Sequence, residues 1–220
     1  MPVRAVLDVL ESCLLVLTAL FPIVNPLGNT PIFLSLTPGF SSDARAILSR
    51  KIALNSFWLL TGSMLIGSHI LDFFGLSIPV VQVAGALVVI STGWTLLQRE
   101  AEQARASAER KITRQDIANR AFYPLTLPLT VGPGSISVAI TLGANQTPHR
   151  SSLIRLIAAL IGPALVAVTI YLCYRFAERL ARFLGETAMN VIIRLSSFIL
   201  LCIGVQIAWN GVRALLSPGH

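Results

Sequence analysis

Long apolar runs alternate with short polar gaps along the whole chain. Since about 20 mostly apolar residues cross a bilayer as an α-helix, six of these runs are long enough for a membrane span. The pattern therefore predicts an all-α polytopic membrane protein with six transmembrane helices. The predicted spans lie at about 10–37, 52–71, 76–97, 119–143, 153–174 and 189–212.

The composition agrees with a membrane protein. The 220 residues are 54% hydrophobic and 12% charged, whereas soluble domains are about 25% charged. The formal net charge of +7 comes from basic residues in the gaps between apolar runs. We interpret them as a topology signal rather than as a nucleic-acid-binding surface, and expect the lipid bilayer as a partner and no nucleic acid.

Lys and Arg residues predict the orientation in the membrane, because short loops rich in them stay in the cytoplasm. Predicted gaps one, three and five hold twelve such residues, and the opposite side holds four. Both termini are therefore expected outside the cytoplasm. Arg194 begins the sixth span, and we expect its side chain to snorkel to the interface.

The chain lacks the residue patterns of an enzyme or an ATP-driven pump. Cys13, Cys173 and Cys202 lie within apolar runs, too far apart for a metal motif. No phosphate-binding GxxxxGK[ST] loop occurs, and no nucleophile–base set is placed at membrane depth. We expect no catalytic residue, no cofactor and no metal site.

Two proline-rich stretches break the first and fourth spans. FPIVNPLGNTPIF (21–33) and YPLTLPLTVGPGSIS (123–137) both read aromatic-P-x-x-x-P-L-x-x-x-P when shifted by 102 positions. This match indicates an internal duplication, although two independently kinked helices remain an alternative. Because each half has three spans, the second copy would enter the membrane upside down.

The duplication predicts a 3+3 inverted repeat with broken helices 1 and 4. The halves would be 1–97 and 119–220, joined by a cytoplasmic connector at 98–118 whose Ala, Glu and Arg content favours an exposed helix. Inverted repeats with matching broken helices are typical of transporters that bind substrate near the bilayer midplane.

The breaks suggest how a ligand is held. The chain is expected to resume as helix after Pro31 and after Pro133, with Asn29 or Thr30 as a cap of the first helix. Helix N-termini attract a carboxylate. The Asn25 side chain and carbonyls freed by proline would accept from an ammonium group, in a small space walled by proline.

Other polar residues have two interpretations. Asn55, Gly62 and His69 share one face of the second span. They line a substrate path or, as the favoured alternative, make hydrogen bonds and close contacts between helices.

NPLGNTPIF and PLTVGPGSIS resemble the two signature stretches of the MarC family, and FGLSIP before the third span extends the resemblance over nearly the whole chain. The family consists of bacterial and archaeal inner-membrane proteins. The resemblance implies the 3+3 arrangement and, from some members, transport of glycine and alanine. Gln82 and Ser197 depart from the family, which often has arginine and glycine there.

The resulting hypothesis is a secondary transporter in a bacterial inner membrane, not an enzyme, whose substrate is a small neutral amino acid. The alternative is an exporter or channel for another small polar solute. Direction, coupling ion and oligomeric state are not predicted. The candidate substrate-binding residues are Asn25, Pro26, Gly28, Asn29, Thr30, Gly132, Pro133, Gly134 and Ser135.

Overall fold

The computed structural model describes residues 2–98, 121–144 and 152–217, and this part of the chain is helical without strands. The predicted connector helix, 98–118, lies outside the described residues except for Gln98, the last residue of the helix Ile78–Gln98. The elements are α1 (Pro2–Val24), α2 (Pro26–Leu36), α3 (Ser42–Phe73), α4 (Ile78–Gln98), a proline segment (Ala121–Thr130), α5 (Pro133–Ala144), α6 (Ser152–Arg175) and α7 (Ala177–Leu216).

Four helices in the described ranges are long and apolar enough to cross a membrane: α1, α4, α6 and α7. The proline segment and α5 meet at 70° and make a fifth crossing if they are counted together. Helix α3, which contains the predicted second span, is not among them, because polar residues such as Asn55, Thr61 and His69 interrupt its apolar sequence. An all-α membrane protein is confirmed, while the count of six spans stays a prediction.

The first predicted break lies at Asn25. This residue is in the left-handed region, with φ 47° and ψ 55°, and its Oδ1 accepts a hydrogen bond from Gly28 N at 3.1 Å. Because asparagine tolerates this backbone and supplies its own cap, α2 restarts at once at Pro26. The prediction that helix resumes after Pro31, capped by Asn29 or Thr30, was wrong, and Pro31 lies inside α2.

The second break is longer. Tyr123 and Leu127 have extended backbones within the proline segment. The hydroxyls of Thr126 and Thr130 donate to the carbonyls five residues earlier, Ala121 O and Leu125 O, both at 2.6 Å, which ties each side chain to the backbone of the segment. Helix α5 then begins at Pro133, as predicted.

Helices α4 and α7 pack against each other antiparallel along most of their length. Glycines bring the two backbones together: a Cβ on Gly93 would lie 3.0 Å from Leu201 N, and one on Gly211 would lie 3.0 Å from Pro79 O. Such close contact of small residues is a main source of helix association in membranes. The α4–α7 pair therefore forms one wall of the molecule.

Helix α5 packs against α3 and α4. A Cβ on Gly143 would overlap with the Met64 backbone of α3, and one on Gly85 of α4 would overlap with Ser137. The Ser137 hydroxyl also donates to Val81 O at 2.8 Å. These contacts fix the start of α5 beside α4, and α3 in turn packs against α6.

A buried aromatic stack connects α2, which follows the first break, with the proline segment of the second break. Phe33 of α2 and Tyr174 of α6 stack with ring centroids 4.5 Å apart, and both side chains are fully buried. The Tyr174 hydroxyl lies 3.0 Å from Thr130 Oγ1 at the end of the proline segment. The position of the second break thus depends on α2 and α6.

Candidate functional site

Both helix breaks line one cavity of about 650 Å³. Its wall comes from the end of α1, from α2, α4, the proline segment, the start of α5, and α7. The expected proline wall is present, because four prolines line the space, but the whole cavity is larger than the small space expected. Its lining prolines are Pro31, Pro124, Pro128 and Pro133, and its lining polar residues are Asn25, Asn29, Ser35, Ser91, Thr92, Thr95, Thr130, Ser135, Asn190 and Arg194.

The structure brings six of the nine candidate residues into the cavity wall. The other three, Pro26, Gly28 and Thr30, do not line it. Thr30 Oγ1 donates to Pro26 O at 2.8 Å, and a Cβ on Gly28 would overlap with the Asn25 side chain. These three residues shape the first turn of α2. The six lining residues are Asn25, Asn29, Gly132, Pro133, Gly134 and Ser135.

Asn25 offers a donor in addition to the expected acceptor. Its Oδ1 already accepts one hydrogen bond from Gly28 N, and an amide oxygen can accept a second. Its Nδ2 is buried and has no hydrogen-bond partner among the described residues, and the residue is only 8% exposed. An unpaired buried donor costs about 1–3 kcal/mol. Asn25 therefore suits a ligand that accepts hydrogen bonds.

Asn29 joins the two breaks. Its Nδ2 donates to Val24 O at 2.9 Å and to Leu129 O at 3.0 Å. Both N–H groups of the amide are thereby used, one on the end of α1 and one on the proline segment. Asn29 holds the cavity wall in shape, and its remaining function toward a ligand is limited to its oxygen.

The start of α5 presents backbone donors. Ser135 Oγ and Ile136 N both donate to Gly132 O, at 2.9 Å and 3.1 Å. The N–H groups of Gly134 and Ser135 belong to the first helical turn, where no intrahelical acceptor exists. The partial positive charge of this helix end faces the cavity wall.

Gly134 also serves packing, which the sequence argument missed. A Cβ on Gly134 would overlap with Val89 Cγ2 of α4. A Cβ on Gly132, in contrast, would meet only Pro128 O, at 3.3 Å. Bulk at Gly134 therefore changes helix contacts as well as the cavity.

The wall also contains residues of α4 and α7 that were not among the residues predicted from the sequence. Arg194 lines the cavity, whereas we had expected it to reach the interface. Asn190 lines it as well, one helical turn before Arg194. The signal was the spacing of four residues, which places both side chains on one helix face.

The polar face of the second span makes helix contacts instead of lining the cavity. Asn55 Nδ2 donates to Thr126 Oγ1 at 3.4 Å, which confirms the favoured interpretation for this residue. The expected close packing at Gly62 was wrong, because a Cβ there would meet no atom within 4 Å. His69 does not line the cavity.

No carboxylate lines the cavity among the described residues. Over the same residues, no group of three or more His, Cys, Asp or Glu side chains is placed to hold a metal ion. The wall thus combines apolar surface with neutral polar groups and one guanidinium.

Comparisons with known proteins find a family match and similar proteins over nearly the whole chain. A family model described as "MarC family integral membrane protein" matches residues 10–216. The chain is 31% identical to the membrane protein YvbG of Bacillus subtilis over 202 residues, which cover 91% of this chain and 93% of that protein. It is 30% identical to the inner membrane protein MarC of Salmonella typhimurium over 222 residues, covering 97% and 100%. No solved structure matches.

Proposed function

The chain belongs to the MarC family of integral membrane proteins, and from this premise we propose that it is a secondary transporter for small neutral amino acids such as glycine and alanine. The observation that carries the proposal is the cavity that both broken helices line, with the unpaired Asn25 donor in its wall. Broken helices around a central cavity are how many transporters bind their substrates. A membrane role of this kind also fits the family better than catalysis.

The chemistry of the wall favours a zwitterion. A carboxylate would receive hydrogen bonds from Asn25 Nδ2 and from the first turn of α5, and helix N-termini favour negative charge. The ammonium group would rely on carbonyls of the proline segment. A lysine or arginine substrate would bring a second cation into a wall without carboxylates, which is costly.

The cavity is larger than the proposed substrate, so we treat it as two zones. A cavity of about 650 Å³ is in the range that holds drug-sized ligands, so glycine or alanine would fill only part of it. We define the deep zone by Asn25 and 132–135, at the breaks, and the outer zone by Ser35, Thr92, Thr95, Asn190 and Arg194. We infer that the substrate binds in the deep zone.

Two observations support the 3+3 inverted repeat. Asn25 and Leu127, which are equivalent under the 102-residue shift, both leave the helical conformation. Helix α2 packs against α7 and α6 as α5 packs against α4 and α3, while α4 pairs with α7 and α3 with α6. A twofold axis relating the halves 1–97 and 119–220 would produce these pairings. Six spans follow if α3 is the second.

The cavity lies on one side of the breaks. Its lining residues come from the part of α2 after Asn25, from Val88 onward in α4, and from the part of α7 before Leu201. With the predicted topology, this side is the cytoplasmic one. We infer that the outer zone opens to the cytoplasm and that both termini lie on the other side of a bacterial inner membrane. A C-terminal fluorescent reporter that matures only in the cytoplasm should stay dark, and bright cells would overturn this orientation.

Counterflow of radiolabelled amino acids into proteoliposomes tests the function. We expect uptake in the order glycine, alanine or serine, then leucine, with basic amino acids last. Alanine amide should not compete with alanine, because it lacks the negative charge. Competition by the amide as strong as by alanine would rule out carboxylate recognition, and uptake of other polar solutes alone would favour the exporter or channel.

Asn25→Asp separates the cap from the ligand contact. Aspartate tolerates the same backbone and keeps an acceptor for Gly28 N, but at about pH 8 it replaces the Nδ2 donor with a negative oxygen. We expect a folded protein with alanine counterflow lowered by at least about tenfold. Counterflow equal to that of the unchanged protein would remove Asn25 from the binding site.

A further inference from the structure

Arg194 is the one charged residue among the described residues that line the cavity. Its side chain is exposed, and no ion pair joins it to another described residue; the recorded pair, Arg45–Glu178, belongs to α3 and the start of α7. The guanidinium thus faces a space without carboxylates. Its charge is balanced by neither the wall nor a neighbouring side chain in the described ranges.

The other polar residues of the outer zone are poor donors. Thr92 and Thr95 donate their hydroxyl protons to Val88 O and Ser91 O of their own helix, both at 2.8 Å. Ser35 does the same with Ile32 O at 2.8 Å. These hydroxyls have no second proton for a ligand. The donors left to a ligand are those of Arg194, of the Asn190 amide one turn away and of the neighbouring Ser91 hydroxyl, and Arg194 alone among the described lining residues carries a charge.

We propose that Arg194 and Asn190 make the outer zone an anion-selective vestibule, which captures the carboxylate of a substrate before it reaches the deep zone. A guanidinium binds a carboxylate through two parallel hydrogen bonds. A cleft that carries charge of one sign between apolar walls raises the local concentration of the opposite ion. The identity of the anion as an amino acid carboxylate rests on the proposed function, whereas the charge selection does not.

The chain offers a reporter position for this charge selection. Thr95 lies in the outer zone on α4, and the antiparallel contact of Gly93 with Leu201 places this part of α4 beside the part of α7 that contains Arg194. A Thr95→Cys variant, made after Cys13, Cys173 and Cys202 are replaced by alanine, therefore carries one thiol near the guanidinium.

The experiment measures how fast this thiol reacts with two thiosulfonate reagents of similar size, one with a sulfonate and one with a trimethylammonium group. In detergent micelles both reagents reach either side of the protein. We expect Arg194→Gln to lower the ratio of the anionic to the cationic rate about tenfold, because removing a unit charge a few ångströms away in water changes both rates in opposite directions. Arg194→Lys should keep most of the ratio.

The matched control is Arg213→Gln, at the opposite end of α7, which should leave the ratio unchanged. Raising the salt concentration should lower the ratio in the protein that keeps Arg194, since salt screens the charge. This measurement does not depend on whether an Arg194 variant folds. An unchanged ratio in Arg194→Gln, or a thiol that reacts with neither reagent, would overturn the vestibule. Lost alanine counterflow with a normal charge ratio would instead count against the proposed transport alone.

Discussion

The two helix breaks carry the same proline pattern and yet have different backbones. At the first break, Asn25 alone leaves the helix, caps α2 with its own side chain, and is followed directly by helix. At the second, the equivalent Leu127 is extended, and regular helix returns only at Pro133. Leucine neither tolerates the left-handed region nor offers a capping oxygen. The breaks thus differ at the residue before the shared middle proline, which is an asparagine that caps its own helix at the first break and an extended leucine at the second.

The two breaks also differ in what holds them: the first is held by local hydrogen bonds, and the second by side chains from other helices. The Asn25 bend is held by contacts within a few residues. The proline segment receives Asn29 from α2 at Leu129 O and Tyr174 from α6 at Thr130. Changes to α2 or α6 should therefore affect the second break first, whereas the first break should respond mainly to changes at Asn25 and Gly28.

The largest effect is expected from making the first break like the second. Asn25→Leu removes the cap and places a branched side chain in the left-handed region, at a combined cost of about 2–4 kcal/mol. In a protein of this size that lowers the midpoint of thermal unfolding by roughly 5–15 °C. Light-scattering or fluorescence melting in one detergent measures the shift.

Leu127→Asn is the matched exchange at the second break. Leu127 is already extended and partly exposed, so we expect a change below about 1 kcal/mol. If the two exchanges shifted the midpoint equally, the contrast between a capped and an uncapped break would be wrong.

A smaller effect should distinguish the two glycines at the start of α5. Gly134→Ala drives a Cβ into Val89 and should cost about 1–3 kcal/mol, while Gly132→Ala, which meets only Pro128 O at 3.3 Å, should stay near zero. The unfolding midpoint of the double variant, Gly134→Ala with Val89→Ala, should fall by less than the sum of the two single-variant shifts, because Val89→Ala removes the overlap. Strictly additive midpoint shifts would show that the cost of Gly134→Ala does not come from overlap with the Val89 side chain.

The smallest effect concerns the support of the proline segment. Tyr174→Phe keeps the stack on Phe33 and removes only the hydrogen bond to Thr130, whose hydroxyl still donates to Leu125 O. We expect a loss of about 0.5–1.5 kcal/mol in the same melting assay. Tyr171→Phe, three residues earlier on α6 and only partly buried, is the control and should shift the midpoint less. An equal shift would place the effect in α6 rather than at the break.

The sequence predicted the membrane class, both breaks and the part of the cavity wall that the breaks supply, because proline and glycine act on the backbone locally. It did not predict where α2 begins, since the pattern predicts a cap at Asn29 or Thr30 with helix after Pro31, whereas Asn25 caps the restarting helix on Gly28 N. It also missed Arg194, because an arginine at the end of a span usually reaches the interface. The spacing of Asn190 and Arg194 places both on one face of α7, but that this face borders a cavity follows from the packing of several helices, which residue spacing does not give.

The hydrogen bond from Asn29 to Leu129 has a consequence for biosynthesis. It joins residues 100 positions apart, and ribosomes add about 5–20 residues per second, so the acceptor is made roughly 5–20 s after the donor. During this interval the amide already has Val24 O, five residues away, as a local acceptor. While only the first half of the chain has been made, one of the two Asn29 amide protons is therefore already hydrogen-bonded. The second proton finds its acceptor, Leu129 O, only after the second half has been made.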